Sequence, residues 1–528
     1  MPTPLSRRHL LQGAASLPLA GLALPPGTAR AGAEAAPAIE LRAETRSLEV
    51  TGRAATVLGL RQPDGRAGIA LDPGARFRVQ LVNRLDVPTI IHWHGQTPPV
   101  GQDGVAMTGF EQLIAPGAAQ GYDFAPRAGT YWMHSHQGMQ EMQLLAAPLI
   151  VRTAEELRAD VQEVVVLLHD FTFRTPQAVM AGLTGGGMGG MKMDADMPAM
   201  QTGGGNMPGM TMPGGGMGGM KMGGGMPGMQ AGGDAAAGGE AEAGGEAEAE
   251  AAAPPAEAGA DLNDIDFDAY LANDRTLDDP EVVRTERGGR VRLRLINGAA
   301  STAFWIDLGT RVGSVIAVDG APVAPVRGRV FPLAEAQRLD ILLDVPPDRP
   351  CPVLAQRVGD RARTGIILAA PGVRVRRIEG MADAAVGGLD NRLERRLAAL
   401  APLAPRPPDR RYTVTLSGGM MPYQWLIDGR RGWEDHLPLR VRQGERVVLD
   451  LVNQSGMAHP MHLHGHAFQV VALGGRPLAG AVRDTIQVLA RQTVSIAFDA
   501  DNPGSWLFHC HNLAHMESGM ITEVAYET

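Results

Sequence analysis

Cysteine is almost absent from this chain of 528 residues, which contains only Cys351 and Cys510. Two cysteines so far apart in sequence cannot form the disulfide framework that stabilises many small exported domains. We interpret Cys351 as a structural thiol, whereas Cys510 belongs to a motif described below. Hydrophobic residues make up 44 % of the chain, which is enough for several apolar cores. At roughly 100–200 residues per domain, the length indicates about three domains.

Long apolar runs and concentrated basic charge are also missing. No segment reaches the roughly 18 consecutive apolar residues that a membrane-spanning helix needs, so we expect no membrane span. The formal net charge is −9, but eleven Asp and Glu and no Lys or Arg lie between Ala231 and Asp268. The rest of the chain is close to neutral and has no basic stripe, which argues against a nucleic-acid partner.

The N-terminus has the features of an export signal. Residues 6–11 read Ser-Arg-Arg-His-Leu-Leu, an apolar run extends from Leu10 to Leu24, and Ala29-Arg30-Ala31 offers small residues for cleavage. This pattern is typical of a twin-arginine signal peptide, which we assign to residues 1–31. The expected location of the mature protein is the periplasm. Because the twin-arginine export machinery carries folded proteins, often with cofactors already inserted, the signal favours a metalloprotein.

Helical periodicity is scarce, and one strand pattern occurs three times. Residues 76–83 read Arg-Phe-Arg-Val-Gln-Leu-Val-Asn, and residues 290–297 and 445–453 repeat the same alternation of polar and apolar side chains. Each copy follows a turn with Gly and ends in Asn. Alternation with period two is typical of a half-buried strand. Three such units at even spacing predict an all-β protein of three Greek-key β-sandwich domains.

Composition sets the predicted domain boundaries. We expect the first domain over residues 38–153, the second over 160–375 and the third over 411–528, with a Pro- and Arg-rich linker over 376–410. An insertion over 181–260 interrupts the second domain. Its first half is rich in Gly and Met, and its second half in Ala, Gly and Glu. Neither half can bury enough apolar surface to order itself, so we predict that the insertion is disordered.

Ten of the fourteen histidines fall into four short clusters. Side chains alternate with period two along a strand, so His-x-His places both imidazoles on the same face. Two such pairs from each of two domains can converge on one cavity between the domains. The histidines outside the clusters, to which we assign no role, are His9, His169, His436 and His466. The clusters are His92-Trp93-His94-Gly95, His134-Ser135-His136, His459-Pro460-Met461-His462-Leu463-His464, and His509-Cys510-His511 with His515.

The His-Cys-His motif carries further chemical information. In a strand, Cys510 points to one side and its two histidine neighbours point to the other. A metal held by the thiolate and metals held by the neighbouring imidazoles would therefore be joined by a short covalent route for electrons. His459, His515 and Met520 provide two imidazoles and a weak thioether for the same ion as the thiolate. That is the ligand set of a blue-copper electron-transfer site.

These clusters resemble the signature of the multicopper oxidases, the family of laccases, ascorbate oxidases and cuprous oxidases. The spacings H-x-H, H-x-H, H-x-x-H-x-H and H-C-H-x-x-x-H-x-x-x-x-M are all complete, and the resemblance covers nearly the whole mature chain except the insertion. It implies three cupredoxin-like domains and four copper ions: one type 1, one type 2 and a type 3 pair. It also implies that electrons pass from the type 1 copper through Cys510 to the other three, where dioxygen becomes water.

Matching the family's motifs to this sequence implies a ligand for each copper. Every position is filled, which argues against a non-catalytic scaffold of the same fold, while a protein that only sequesters copper stays an alternative. The type 1 copper would be held by His459, Cys510, His515 and Met520. The type 2 copper would be held by His92 and His462. The type 3 pair would be held by His94, His134 and His511 on one ion, and by His136, His464 and His509 on the other.

Reduction of dioxygen also needs acidic residues that carry protons. The resemblance implies that Asp103, in Gly-Gln-Asp-Gly, lies near the type 2 copper, and a turn Asp before Gly is the alternative. Many bacterial relatives place an acid directly after the histidine that corresponds to His515. This chain has Met516 there and Glu517 one residue later. Glu517 is therefore our candidate for a second proton carrier, and Glu141 is another.

Methionine content bears on the substrate. Residues 188–229 of the insertion hold 13 of the 26 methionines, and soft thioethers prefer Cu(I) to Cu(II). Because methionine-rich insertions occur in bacterial cuprous oxidases of this family, we predict that a monomeric enzyme oxidises Cu(I) in the service of copper tolerance. Met457 matches the position of a substrate contact in such enzymes, although Ser455 replaces the expected Asp; Met420 and Met516 are further candidates. The alternatives are a plain linker and a laccase-like oxidase of phenols or aromatic amines.

Overall fold

A computed structural model describes residues 37–185, 253–256 and 262–527 of the chain. Within these residues the strands form six sheets, and the helices are short. The sheets form three successive pairs along the chain, which we call the first, second and third sandwich. The predicted all-β fold class is confirmed.

The first sandwich has sheets of order β2-β1-β4-β6 and β3-β8-β7-β5. Side chains of both sheets, such as Phe77 and Tyr131, share one apolar core. His92 of β5 lies opposite His134 of β7. The strands are β1 (Ile39–Val50), β2 (Arg53–Arg61), β3 (Ile69–Leu71), β4 (Phe77–Asn83), β5 (Ile91–His92), β6 (Ala119–Phe124), β7 (Gly129–Ser135) and β8 (Ala146–Val151).

The second sandwich has sheets of order β10-β9-β12-β17-β14-β15 and β11-β19-β18-β13-β16. Cys351, at the start of β18, is buried in its core. The strands are β9 (Gln162–Phe171), β10 (Ala269–Ala272), β11 (Val282–Arg284), β12 (Arg290–Asn297), β13 (Phe304–Asp307), β14 (Gly313–Val318), β15 (Ala321–Gly328), β16 (Val330–Leu333), β17 (Arg338–Asp344), β18 (Cys351–Arg357) and β19 (Arg363–Ala369).

The third sandwich has one sheet of order β21-β20-β23-β29-β25-β26, with β27 beside β25, and one of order β22-β31-β30-β24-β28. His462 of β24 lies opposite His509 of β30. The strands are β20 (Arg410–Met420), β21 (Tyr423–Ile427), β22 (Leu439–Val441), β23 (Arg446–Asn453), β24 (His459–Leu463), β25 (Phe468–Leu473), β26 (Arg476–Pro477), β27 (Val482–Arg483), β28 (Thr485–Val488), β29 (Thr493–Asp499), β30 (Ser505–Cys510) and β31 (Ile521–Tyr526).

The repeated strand of the sequence occupies the same place in each sandwich. β4, β12 and β23 each pair in parallel with the first long strand of their own sandwich. The Asn at the end of each strand accepts a hydrogen bond from the N–H two residues later, at 2.9 Å for Asn83, 3.0 Å for Asn297 and 2.8 Å for Asn453. This side chain acts as a substitute for backbone in an Asx turn, which explains why all three copies end in Asn.

Among the described residues, three α-helices and four 3₁₀ helices connect the strands. No helix in the described part of the chain is long and apolar enough to cross a membrane. The predicted signal peptide, 1–31, and most of the insertion, 181–260, lie outside the described residues. Residues 181–184 are the end of α2 rather than a disordered segment, because Thr175 caps this helix and Leu183 packs on the core of the third sandwich. The helices are α1 (Ala154–Arg158), α2 (Pro176–Thr184), α3 (Leu513–Glu517), and the 3₁₀ turns Val100–Gln102, Glu141–Gln143, Glu394–Arg396 and Trp433–Asp435.

Candidate metal centres

A thiolate and two imidazoles meet inside the third sandwich. β24 supplies His459, β30 supplies Cys510, and α3 supplies His515. The Nδ1 atoms of His459 and His515 lie 3.8 and 3.6 Å from the Sγ atom of Cys510, and 3.0 Å from each other. All three side chains are buried. Their ligand atoms are close enough together to hold a single metal ion.

Met520 lies fully buried in the same apolar core as Cys510. Its carbonyl oxygen accepts a 3.0 Å hydrogen bond from the N–H of Cys510. Burial raises the pKa of the Cys510 thiol well above its ordinary value. A coordinated metal ion would nevertheless deprotonate this thiol. Two imidazoles, a thiolate and a thioether are soft ligands that suit copper rather than calcium or magnesium.

The outer nitrogen of each imidazole at this site has its own partner. Ser455 Oγ is hydrogen-bonded to His459 Nε2 at 2.7 Å. His515 Nε2 lies 2.8 Å from Oδ2 of Asp264, whose side chain is fully buried. Asp264 comes from the second sandwich and receives a 3.0 Å hydrogen bond from the Asn512 amide. Sequence reasoning missed Asp264, because it is one acid in the acidic stretch that follows the insertion.

A second group of imidazoles lines a buried cavity between the first and third sandwiches. The two His-x-His pairs stack reciprocally across it: the ring centroids of His92 and His464 are 3.8 Å apart, and those of His94 and His462 are 3.7 Å apart. The predicted convergence of two clusters from each of two domains is therefore observed. The cavity contains His92, His94, His134, His136, His462, His464, His509 and His511.

Two subsets of these imidazoles have spacings that suit single ions. One nitrogen from each of His136, His464 and His509 falls within a common ligand-sized space, and the Nε2 atoms of His464 and His509 are 3.0 Å apart. The Nε2 atoms of His92 and His462 are 3.5 Å apart. These subsets are the same as two of the ligand sets that the sequence resemblance implies.

The third subset lies on the other side of the cavity. The ring centroids of His94, His134 and His511 are 5.0–5.7 Å apart. The ring of Trp132 stacks on that of His134, with 4.3 Å between the centroids, and covers this side of the cavity. His511 follows Cys510 directly, and His509 precedes it. The thiolate site and both sides of the imidazole cavity are therefore linked through three consecutive residues.

The protein orients these imidazoles through fixed acceptors. His92 Nδ1 donates to the carbonyl oxygen of Asp103 at 2.8 Å, and His464 Nδ1 donates to Asp103 Oδ2 at 2.9 Å. His462 Nδ1 donates to the carbonyl oxygen of Asp484, and His94 Nε2 to the carboxylate of the same residue. Such acceptors select the tautomer and turn the other nitrogen toward the cavity.

Several of the inward nitrogens have no hydrogen-bond partner among the described residues. Buried nitrogens without partners are rare in proteins and need an explanation. Burial, followed by the neighbouring imidazoles, lowers the pKa of His94, His134, His462, His464 and His511, so these side chains are neutral and ready to bind a metal ion. The residues therefore fit a metal cluster. The nitrogens without partners are His94 Nδ1, His134 Nε2, His136 Nε2 and both ring nitrogens of His511.

The candidate proton carriers occupy different environments. Asp103 is buried between His92 and His464. Glu141 is also buried, with Oε2 2.7 Å from His134 Nδ1 and Oε1 3.8 Å from His511 Nδ1. Burial raises the pKa of Glu141 well above its ordinary value. Glu517 is exposed at the end of α3, and the described residues include no contact between it and the cavity histidines.

The candidate methionines lie around the thiolate site. Met457 is 7 % exposed and belongs to the core that contains Cys510, while Met420 and Met516 are partly buried against that core. Met421, beside Met420, is 90 % exposed. Thioethers are therefore present both within the core that contains Cys510 and at the protein surface.

The buried thiol and its two imidazoles are joined by His-Cys-His to a cavity of eight imidazoles, and ligands of this kind suit a copper-dependent oxidase. Family comparison gives the same result. Models of the multicopper oxidase domains match residues 59–156, 243–351 and 405–528. The chain belongs to the multicopper oxidase family, and it is an oxidoreductase that uses dioxygen as its electron acceptor.

The similar proteins include copper resistance proteins. The chain is 31 % identical to multicopper oxidase MmcO of Mycobacterium tuberculosis over 86 % of this chain and 80 % of that protein. It is 26 % identical to the copper resistance protein A homolog of Pseudomonas syringae pv. tomato over the full length of both. A solved multi-copper oxidase from Pseudomonas thermotolerans, 21 % identical, has a TM-score of 0.63 and covers 92 % of this chain and 98 % of that one, which shows a shared fold.

Proposed function

We propose that this protein is a cuprous oxidase that binds four copper ions and couples the oxidation of Cu(I) to the reduction of dioxygen to water. The type 1 copper is held by His459, Cys510, His515 and Met520, and the type 2 copper by His92 and His462. The type 3 pair is held by His94, His134 and His511, and by His136, His464 and His509. The nitrogens without partners in the imidazole cavity support this assignment. When bound, the copper ions supply the one-electron redox steps and the site at which dioxygen is reduced.

Electrons enter at the outer face of the thiolate site. Asp264 and His515 form the contact between the second sandwich and the buried ligands, at 2.8 Å. A donor at this face is close to the Nε2 edge of His515, whose Nδ1 is turned toward the Cys510 thiolate. From Cys510 the covalent route continues into its two neighbours, His509 and His511.

Protons reach the imidazole cavity through two buried carboxyl groups. Asp103 holds His464 on the side of the type 2 ligands, and Glu141 lies against His134 on the side of the type 3 ligands. Each can pass a proton to a neighbouring oxygen species without a large movement, because it is already in the cavity wall. Glu141 replaces Glu517 as our candidate for the second carrier.

The helix that leads into the insertion packs against the core that contains Cys510, and this observation carries the proposal of Cu(I) as substrate. On the N-terminal side, Val179, Met180 and Leu183 of α2 pack in or on the core that contains Cys510. On the C-terminal side, Pro255 pairs with Val386, and Asp264, further along the chain, reaches His515. The methionines of residues 188–229 lie outside the described residues. Their thioethers suit Cu(I), and in this proposal they collect the ion and deliver it to Met457, Met420 and Met516.

The cellular role follows from this chemistry. Conversion of Cu(I) to Cu(II) in the periplasm, reached by twin-arginine export, would protect the cell from copper. The names of the two relatives, a multicopper oxidase and a copper resistance protein, support this role.

Oxygen uptake by the copper-loaded protein, with Cu(I) and with a phenol as reductants, tests the proposal. Deletion of residues 186–230 removes the methionines, and deletion of 231–252 removes a segment of Ala, Gly and Glu without methionine. We expect the first deletion to slow Cu(I) oxidation by about tenfold or more, because it removes the thioethers that bind Cu(I). The second deletion should leave the rate unchanged. Equal rates in all three proteins, with phenol as the better reductant, would identify a laccase and refute the cuprous assignment.

A further inference from the structure

A chain of buried charged side chains runs through the interface of the three sandwiches and ends at the imidazole cavity. It alternates in sign, and its members are connected by direct contacts. Arg483 pairs with Glu394 at 2.9 Å and with Asp319 at 3.0 Å. Asp319 accepts a 2.9 Å hydrogen bond from the N–H of Arg338. Arg338 then reaches Asp484, so the order along the chain is Glu394, Arg483, Asp319, Arg338 and Asp484.

Arg338 and Asp484 form the last pair of this chain, and both side chains are fully buried. The guanidinium donates from Nη1 to Oδ1 at 2.7 Å and from Nη2 to Oδ2 at 2.5 Å. Its remaining donors reach the carbonyl oxygens of Ala336 at 2.9 Å and Thr130 at 3.2 Å. Burial tends to lower the pKa of Arg338, but the charges of Asp484 and Asp319 outweigh it and raise the pKa. The bidentate geometry leaves the carboxylate a single orientation.

Asp484 determines the orientation of two imidazoles at once. Oδ1 accepts from His94 Nε2 at 3.0 Å, and the carbonyl oxygen accepts from His462 Nδ1 at 2.8 Å. Thr485 Oγ1 lies 3.1 Å from His94 Nε2 and 3.2 Å from His462 Nδ1, and it donates to Asp484 Oδ1 at 3.0 Å. His94 and His462 are the two rings that stack at 3.7 Å. The carboxylate of Asp484 therefore positions a ligand from the first sandwich, His94, and the main-chain carbonyl of the same residue positions a ligand from the third, His462.

Gly95 provides the space for this pair. It follows His94 directly and has a φ of +82°. A Cβ atom at this position would lie 2.4 Å from Asp484 Oδ2 and 2.8 Å from Arg338 Nη2. The carboxylate and guanidinium therefore occupy the volume of a side chain at residue 95. This explains the Gly that follows the first His-x-His cluster in the sequence.

From these contacts we infer that Arg338 is a positioning residue for the copper cluster, through which the second sandwich orients ligands that belong to the other two. None of the twelve assigned copper ligands lies in the second sandwich, so its influence on the cluster passes through contacts of this kind. Arg338 also excludes a cation from the space among Asp484, His94 and His462, so Asp484 orients its neighbours and binds no metal. The inference rests on the proposed copper assignment.

Arg338→Lys tests the inference, because a lysine keeps the charge but cannot bind a carboxylate in the same bidentate way. Loss of such an outer partner typically reduces metal affinity about 10–100-fold. We expect a loss of that size for the ion that His94 holds, measured by copper content after dialysis against a chelator. We also expect a changed hyperfine splitting of the type 2 EPR signal, because Thr485 links the same carboxylate to His462. The blue absorbance of the type 1 copper should not change. Thr485→Val, a milder change at the same contacts, should alter the EPR signal in the same direction.

Arg294→Lys is the matched control. Arg294 is equally buried in the second sandwich and pairs with Glu156, Glu163 and Asp340. In the described part of the chain no hydrogen bond or ion pair joins it to Asp484, although it shares a partner with Arg338, because both donate to Thr130. Its replacement should lower thermal stability and leave the type 2 signal unchanged. The inference is overturned if Arg338→Lys retains the wild-type copper content and type 2 signal, or if Arg294→Lys changes both equally. If Arg338→Lys does not fold, an unchanged signal in Thr485→Val overturns it. A wild-type protein without type 2 copper would instead refute the copper assignment.

Discussion

At the residue scale, the two imidazoles of the thiolate site differ in the charge of their outer partners. His459 has the neutral hydroxyl of Ser455, whereas His515 has the carboxylate of Asp264. A carboxylate beside a ligand imidazole increases the basicity of that ligand and stabilises the oxidised metal. We therefore expect the negative charge of Asp264, 2.8 Å from His515, to lower the reduction potential of the proposed type 1 copper.

Asp264→Asn should reduce kcat/KM for Cu(I) by about tenfold, because it removes both the charge that attracts the cation and a charge-assisted contact worth about 1.5–3 kcal/mol. It should also raise the reduction potential of the type 1 copper. Steady-state oxygen uptake and a redox titration of the blue absorbance measure the two effects. Ser455→Ala is the control, since it removes a neutral partner of the other imidazole. An equal effect in both variants would contradict the role of charge.

The buried carboxyl of Glu141 allows a separate test. Glu141→Gln keeps the shape of the side chain and cannot carry a proton, so we expect kcat for dioxygen reduction to fall about 10²-fold, the lower part of the range for general acid–base catalysis. The rate at which the type 1 copper is reduced should be unchanged in stopped-flow measurements. Glu517→Gln, at an exposed position, should behave as wild type. The opposite result would restore Glu517 as the proton carrier.

At the element scale, α3 is a helix of five residues that carries His515 and depends on its first turn. Asn512 caps it by accepting from His515 N–H at 3.3 Å, and donates to Asp264 at 3.0 Å. One side chain therefore fixes both the ligand and its carboxylate partner. So short a helix has little stability of its own, and the cap contributes to the geometry of the metal site.

Asn512→Ala should lower the free energy of unfolding by about 0.5–2 kcal/mol, as expected for a lost N-cap, and it should also weaken the blue absorbance at limiting copper. Thr175→Ala provides the comparison. Thr175 caps α2 with the same type of hydrogen bond and contacts no ligand, so its loss should cost similar stability and leave the absorbance intact. Chemical denaturation and copper titration separate these outcomes.

Much of this arrangement could be predicted from sequence, because it depends on local patterns. The three repeated strands were predicted within a residue of their observed starts, at Phe77, Arg290 and Arg446, and the histidine clusters converge as their spacing indicates. Asp264 and Asp484 carry no such pattern. Their partners are distant in sequence, by 390 residues for Asp484 and His94, and only tertiary packing brings them together. A single acid has no periodicity to identify it.

At the scale of the whole molecule, buried neutral histidines link stability to pH. Burial lowers the pKa of ten imidazoles, to about 3 for His509 and about 4 for His169 and His466. In the unfolded chain these groups take up protons below about pH 6.5, and in the folded chain they do not. Stability is therefore lost as the pH falls below that value. The raised pKa values of Glu141, Asp170 and Glu335 act in the opposite direction, but these groups are fewer.

The copper-free protein should accordingly lose unfolding free energy steeply between about pH 6.5 and pH 5, by up to about 1.4 kcal/mol per pH unit for each buried histidine. Urea denaturation at a series of pH values gives the slope. Replacing both His94 and His462 with Gln should make the slope shallower by the contribution of two groups. If the free energy of unfolding stays constant or increases as the pH falls over this interval, the imidazoles are not neutral in the folded state.

The reciprocal stacking of His92 on His464 and of His94 on His462 has a consequence for the origin of the molecule. The first histidine of each His-x-His pair stacks on the second histidine of the other pair. A twofold axis produces this pattern between identical subunits. The first and third sandwiches therefore meet as two halves of a homodimer would, within one covalent chain. Duplication and fusion of a single sandwich that pairs with itself would produce such an interface. The second sandwich lies outside this pair, supplies none of the proposed copper ligands, and acts on them through Arg338 and Asp264.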